Sequence, residues 1–403
     1  MRFHSHTMKA TKRSMSISYA IREFLIPAKE LENKGIEVIK LHIGDPNKYD
    51  FETPKHVREA LCKAVEECDN GYAESEGYIG LRKAIVNREK EKNKIDVDVG
   101  DVVITNGVTE AIQTLAAAMI ASGDEMLVPG PCYPTYPEFA SFFGGIPVSY
   151  KTDETNNWHP DIDDVRKKIT TRTKALVVIN PNNPTGAVYP EKVLKSLADV
   201  AGEHDLLLIS DEIYDLMTFE GTHHSPSTLA PDVPMVILNG FSKVDLLPGW
   251  RMGYAVFRDP TGELKEVKEG VMRQLRLRLS ANYPCQVAMS KALKGPQAHH
   301  EETRRKLRER AEYAYKRLNA IPGITTTKPQ GAFYIFPRYE SKRWKSDREF
   351  ILDVLKNAHV LLVPGSGFGE EYGTGHFRSV FLPNVATLDK AFDALEDFMS
   401  KKA

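Results

Sequence analysis

Five short runs are apolar from end to end and do not alternate: "DVVIT", "EMLVP", "KALVVIN", "DLLLISD" and "PMVILN". A strand with one face in water alternates apolar and polar residues. A strand that stays apolar throughout needs cover on both faces, as in a parallel sheet between layers of helices. Helical patterns lie between the runs. "VTEAIQTLAAAMIAS" puts Ile112, Leu115, Met119 and Ile120 on one stripe, and "PEKVLKSLADVAGEH" opens on a proline and ends near Gly202. Repeats of strand, helix and strand imply right-handed crossovers and an α/β core.

That pattern runs through about residues 65 to 295. A charged helix follows from about Glu301 to Asn319, with Leu307, Ala311, Ala314 and Leu318 as its apolar stripe. Then come "GAFYIFPRY", a helix at "DREFILDVLKNA" and a strand pair at "VLLVPG" and "HFRSVFL". This end reads as a second, smaller α+β domain with the N-terminal segment packed on it. A chain of 403 residues has room for both.

Charge and cysteines exclude several classes. The formal net charge is −1 with both signs interspersed, so no footprint for nucleic acid or an anionic membrane is visible. The four cysteines, Cys62, Cys68, Cys132 and Cys285, form no C-x-x-C pair and meet no histidine cluster. Neither a metal site nor a disulfide framework is expected, and a reducing cytoplasm is the default. "MRFHSHTMKATKRSMS" lacks the apolar segment of a signal peptide, and "AIQTLAAAMIA" is too short to span a bilayer.

In open α/β sheets ligands bind beyond the carboxyl ends of the strands, so what each run delivers there is informative. "DVVIT" leads into "NGVTEAI", a glycine turn opening a helix. Backbone N–H groups at such a start bind anions, and Thr109 adds a hydroxyl, although the same turn is also an ordinary helix cap. "KALVVIN" leads into "PNNPTG", which poises Asn183 at the strand end; turn chemistry accounts for an asparagine there equally well. "DLLLISD" ends on Asp211, with Tyr214 three residues on. A carboxylate that follows a buried strand needs a partner. Mg²⁺ is one, but the nearby hydroxyl and basic groups favour another. "PMVILN" delivers Lys243, and a lysine in a semi-buried cleft sheds its proton readily and attacks carbonyls. Pyridoxal 5′-phosphate needs this set: a helix start for its phosphate, an amine for its aldehyde and a carboxylate for its ring nitrogen.

The motifs "NPNNPTG", "SDEIY" and "GFSKVDLLPGWRMGY" stand in that order between "SYAIREFLIPAKELENKGIEVIKLHIGDP" and "GHFRSVFLPN". Together they resemble the class I and II aminotransferases of the fold-type I pyridoxal-phosphate enzymes, and most nearly their archaeal-type alanine/aspartate branch. The resemblance implies an α/β fold like that of aspartate aminotransferase. A large cofactor-binding domain, residues 65–298, carries a mostly parallel seven-stranded sheet covered by helices. A small C-terminal α+β domain is residues 299–403, and residues 1–64 form an N-terminal arm and part of the small domain.

Matched motif by motif, Lys243 resembles the lysine that links covalently to the cofactor and later shuttles a proton. Asp211 resembles the ring-nitrogen partner, and Tyr214 and Asn183 the donors to the ring hydroxyl oxygen. Tyr133 resembles the aromatic stacked on the ring, while Val108, Thr109 and Arg251 resemble phosphate ligands. Arg378 resembles the clamp on the substrate α-carboxylate, a task that suits guanidinium geometry, and Gly44, Tyr133 and Asn183 border the substrate. Tyr72 resembles the tyrosine that reaches the phosphate of a neighbouring subunit, which implies a homodimer with composite sites. Two positions depart from the pattern. Gly240 stands where many members have serine, and Asp245 stands two past the lysine, where an aromatic is common; a place at the dimer interface would account for the acid.

The implied reaction is transfer of an α-amino group from an L-amino acid to 2-oxoglutarate. Alanine is the implied donor, with aspartate or a broad, aromatic-accepting set as the alternative. Arg273, Arg276 and Arg278 in "MRQLRLRLSAN", read as a helix-to-strand region, offer cations for a second carboxylate, or simply pair with acids. A lyase or ring-forming synthase of the same fold stays open. A dinucleotide-binding reading fails because "GSGFGE" lacks G-x-G-x-x-G spacing and opens no helix after a first strand. A cofactor-binding transcription regulator would need a DNA-binding domain ahead of "SYAIREF".

Overall fold

A computed structural model of the chain describes residues 9–67, 69–341 and 343–402; the first eight residues of the basic N-terminal stretch, and Cys68, lie outside them. The apolar runs form strands β1 Val102–Asn106, β2 Glu125–Gly130, β5 Thr173–Ile179, β6 Leu207–Asp211 and β7 Met235–Gly240. They are joined by β3 Ile146–Asp153, β4 His159–Pro160 and β8 Met252–Arg258. The sheet order is β1-β8-β7-β6-β5-β2-β3-β4. Strands β7, β6, β5, β2 and β3 pair in parallel, and β8 runs antiparallel between β1 and β7. The implied seven strands are therefore joined by an eighth, the two-residue β4, which closes one edge antiparallel to β3.

Alternate residues of each strand enter two separate cores. Val102 and Ile104, Leu176 and Val178, and Met235 and Ile237 pack on one side. Val103, Ala175 and Val177, and Val236 and Leu238 pack on the other. Both faces are dry, which is why the runs show no alternation. Helices that cover the sheet include α1 Ile79–Asn93, α2 Val108–Met119, α3 Glu191–Glu203 and α4 Lys265–Arg278. On α2 the buried residues are Ala111, Ile112, Thr114, Leu115 and Ala116.

A third core is built from distant stretches of chain. Phe24, Ala28, Val38 and Phe51 pack with residues of α5 Ala298–Ala320, α6 Asp347–Asn357 and α7 Val385–Lys402. On α5 the stripe Leu307, Ala311, Ala314 and Leu318 is buried at helical spacing; burying each leucine contributes about 2 kcal/mol. Strands β9 Tyr334–Ile335, β10 Val363–Pro364 and β11 Phe377–Val380 form a small antiparallel sheet, in the order β9-β11-β10, and β11 carries Arg378. Among the described residues no helix is long and apolar enough to cross a membrane.

Candidate active site

Register decides what meets at the edge of the large sheet. Ile179 pairs with Asp211 and Asp211 with Leu238. The chain segments that leave β5, β6 and β7 therefore diverge from one line. Beyond that line lies a cleft of about 520 Å³ lined by Lys243, Asp211, Asn183, Tyr214, Arg251 and Arg378, among others. Residues from five strand ends and from the N-terminal segment thus share one space.

Lys243 Nζ donates to the Gly44 carbonyl oxygen at 2.7 Å and lies 5.5 Å from the centre of the Phe333 ring. Burial lowers its pKa to about 8, so its neutral, nucleophilic form is far more populated than in an exposed lysine. A Cβ on Gly44 would stand 2.8 Å from Phe333 Cε2, so only glycine brings this carbonyl so close to the amine.

Two carboxylates follow β6, and their partners separate their roles. Burial pushes Glu212 up, but bonds from His223 at 3.1 Å and Ser225 at 2.6 Å outweigh it and hold the group low, away from the cleft. Asp211 faces the cleft. Its Oδ2 accepts from Tyr136 Oη at 2.8 Å and its Oδ1 from the Ile213 N–H at 3.2 Å. Burial raises Asp211 to about 6, and the Tyr136 bond pulls it back.

Arg378 is 1% exposed. Its Nη1 donates to Asn183 Oδ1 at 3.0 Å and its Nη2 to the His42 carbonyl at 2.6 Å. The Tyr334 and Phe368 rings sandwich the guanidinium at 4.4 and 4.8 Å. Its Nε is buried without a hydrogen-bond partner, a donor left for an incoming acceptor. Tyr214 Oη and Tyr334 Oη lie 2.9 Å apart, and Tyr133 Oη lies 3.4 Å from Tyr19 Oη.

Val108 and Thr109 form the first turn of α2 after Gly107, whose φ of +73° suits glycine. Arg251 joins them, with Nη2 on the Asn106 carbonyl at 3.3 Å. Gly240 is explained by close approach to β8: a Cβ there would stand 2.8 Å from the Met252 carbonyl oxygen and 2.9 Å from Gly253 Cα. Serine does not fit without backbone movement, and Ser242 lines the cleft nearby.

The structure also places five further residues singled out in the sequence. Asp245 does not sit on an outer face: it is 2% exposed and buried among Arg88, His299 and His300. Arg273, Arg276 and Arg278 lie on helix α4 and pair with acids, the first two with Glu269 and the third with Glu110. None of the three lines the cleft, whereas Arg22, which motif reading passed over, does. Tyr72 is 81% exposed and is not among the cleft-lining residues. Tyr136 was also missed, although it stands in the same "PCYPTYP" as Tyr133.

The donor set fits pyridoxal phosphate. A primary amine, a buried carboxylate, a helix start with a guanidinium, and a second guanidinium with a spare N–H face one cleft.

A sequence model of the aminotransferase class I and II family matches residues 36–395. The chain is 39% identical over 391 residues to the glutamate-pyruvate aminotransferase AlaA of Escherichia coli K12, covering 96% of each. The solved structure of an alanine aminotransferase from Pyrococcus furiosus superposes with a TM-score of 0.96 at 56% identity, covering 98% of this chain and 100% of that one. An aspartate aminotransferase from Thermus thermophilus solved with maleate gives 0.89 at 33% identity, over 97% and 100%.

Tyr136 is open to a direct test. Tyr136→Phe removes a hydrogen bond that favours ionised Asp211, so the Asp211 pKa rises. The acid limb of kcat/KM should then move to higher pH by about one unit. An unchanged limb, with activity reduced equally at every pH, would mean that Tyr136 only packs.

Proposed function

This chain belongs to the class I and II aminotransferases, and from that premise we propose that it transfers the amino group of alanine to 2-oxoglutarate, giving pyruvate and glutamate. Its cofactor is pyridoxal 5′-phosphate. The observation that carries the assignment is the meeting of Lys243, Asp211 and Arg378 in one cleft at the sheet edge. The names of the Escherichia coli and Pyrococcus furiosus relatives support the donor.

When bound, the cofactor supplies an electron sink that stabilises negative charge at the substrate α-carbon. The residues do the rest. Lys243 would hold the cofactor through Nζ and, as a free amine, take and return the α-proton. Asp211 would keep a proton on the ring nitrogen. Asn183 and Tyr214 would hold the ring hydroxyl, and Tyr133 would stack on the ring. The first turn of α2, with Val108 and Thr109, and Arg251 would hold the phosphate. Arg378 binds the α-carboxylate, with Gly44, Tyr133 and Asn183 as neighbours of the substrate.

Glutamate and 2-oxoglutarate carry a second carboxylate, and alanine does not. The cations lining the cleft are Lys243, Arg251, Arg378 and Arg22. With the first three engaged, Arg22 is left for the distal carboxylate. Arg22→Gln should raise KM for glutamate and 2-oxoglutarate about tenfold and leave alanine and pyruvate within a factor of two. An equal loss for both pairs would remove that role. In the wild type, alanine should exceed aspartate in kcat/KM with 2-oxoglutarate as acceptor. Preference for aspartate by tenfold would make this an aspartate aminotransferase, and elimination without an acceptor would make it a lyase.

The active unit in this proposal is a homodimer in which Tyr72 reaches the phosphate site of a second copy. Tyr72, Leu277 and Leu279 are 81%, 87% and 52% exposed. Large exposed apolar side chains of this kind suit a subunit interface. Free thiols at Cys62, Cys132 and Cys285 suit a reducing compartment, and the proposed location is the cytoplasm. Mixing inactive Lys243→Ala with an inactive Tyr72 variant should restore activity through hybrid dimers holding one intact site. Sedimentation as a monomer at micromolar concentration would contradict the composite site.

A further inference from the structure

The proposed chemistry uses Lys243 but not the cluster two residues beyond it. Asp245 Oδ1 lies 3.1 Å from His300 Nε2 and 3.4 Å from His299 Nε2, and the three atoms lie within 4.8 Å of one another. We propose that Asp245, His299 and His300 bind one divalent transition-metal ion, of the zinc or cobalt(II) kind, which ties the first turn of α5 to the loop after Lys243. The expectation of no metal rested on the cysteines. Asp245 and the histidine pair are far apart in sequence and meet only in the fold.

The distances admit a metal. The 3.1 Å contact lies within the ordinary hydrogen-bond range of about 2.7–3.2 Å and the 3.4 Å contact lies beyond it. Ligand atoms about 2.1 Å from a tetrahedral ion stand about 3.4 Å apart, close to what is seen. The two imidazoles, 4.0 Å apart between centroids, turn their Nε2 atoms to the same oxygen.

Asp245 Oδ2, Arg88 Nε, Arg88 Nη2 and His299 Nδ1 are all buried without hydrogen-bond partners; the Arg88 donors call for acceptors such as water, and it is the converging Asp245 Oδ1 and two imidazole Nε2 atoms that offer a cation its ligands. Three buried carboxylates, Glu89, Asp215 and Asp245, stand here against two basic side chains, Arg88 and Lys92. The balancing charge would come from the imidazoles themselves or from an ion between them. Arg88 Nη1 sits 3.6 Å from Asp245 Oδ2, the oxygen turned from the histidines, where an outer partner of a ligating carboxylate belongs. Arg88 and the positive end of α5 both weaken cation binding, so micromolar affinity is expected. Three protein ligands leave the fourth position of a tetrahedral ion open, and His300 lines an adjacent cleft of about 560 Å³ with Asn87 and Gln297.

Untagged holoenzyme, stripped with chelator and dialysed, should take up one Co²⁺ per chain, with intense visible d–d bands that Zn²⁺ abolishes. The double variant His299→Gln, His300→Gln should lose this signal and keep amino transfer. X-ray absorption of the zinc-loaded wild type, which needs no variant to fold, should show two imidazole ligands. No saturable uptake at ~100 μM metal, about a hundredfold above a micromolar Kd, would overturn the proposal. So would uptake unchanged in the variant, or a zinc shell without imidazole.

Discussion

A sheet covered on both faces by helices can show polar groups to a ligand only where its strands end. That constraint governs this molecule. Val102, Leu176, Ile237 and their neighbours are dry on either side, so the chemistry is concentrated along one edge. Register then does the aligning. Because Ile179, Asp211 and Leu238 pair in line, the asparagine turn, the carboxylate and the lysine loop leave the sheet side by side.

The price of that arrangement is buried charge. Asp211 sits in a dry site that pushes its pKa up to about 6, and the Tyr136 hydroxyl opposes the shift. Arg378 is held by aromatic rings on two sides and by acceptors at two of its three nitrogens. Both groups become more favourable when a ligand of opposite charge arrives, so they are poised for binding more than for stability. Glu212, one residue from Asp211, shows the contrast. It is as deeply buried but fully engaged by His223, Ser210 and Ser225.

The strands and the site residues on them were legible because each sits in a local pattern: an apolar run, then a turn, then one polar side chain. Lys243, Asp211 and Asn183 meet in the cleft to which those patterns pointed; Arg378, within strand β11, joins them there and was singled out by the family resemblance alone. What could not be read depends on contacts between distant segments. Tyr136 meets Asp211 across 75 residues, and Arg22 enters from the N-terminal segment. Asp245 finds its histidines 54 and 55 residues away. The arginines of "MRQLRLRLSAN" stayed open between a substrate and acidic partners because those partners are not all local. Glu110, the partner of Arg278, lies on another helix.

Lowered pKa alone does not single out Lys243. Burial brings Lys92 to about 7, below the value of about 8 for Lys243, yet Lys92 lies against Asp215 and lines a different cleft. The proposed cofactor lysine is Lys243, which shares its cleft with Asp211 and Arg378. Borohydride reduction of the holoenzyme followed by peptide mapping distinguishes the two. The pyridoxyl label should fall on the peptide containing Lys243 and vanish in Lys243→Ala. A label on Lys92, or on any other lysine, would contradict the assignment on which the site is built.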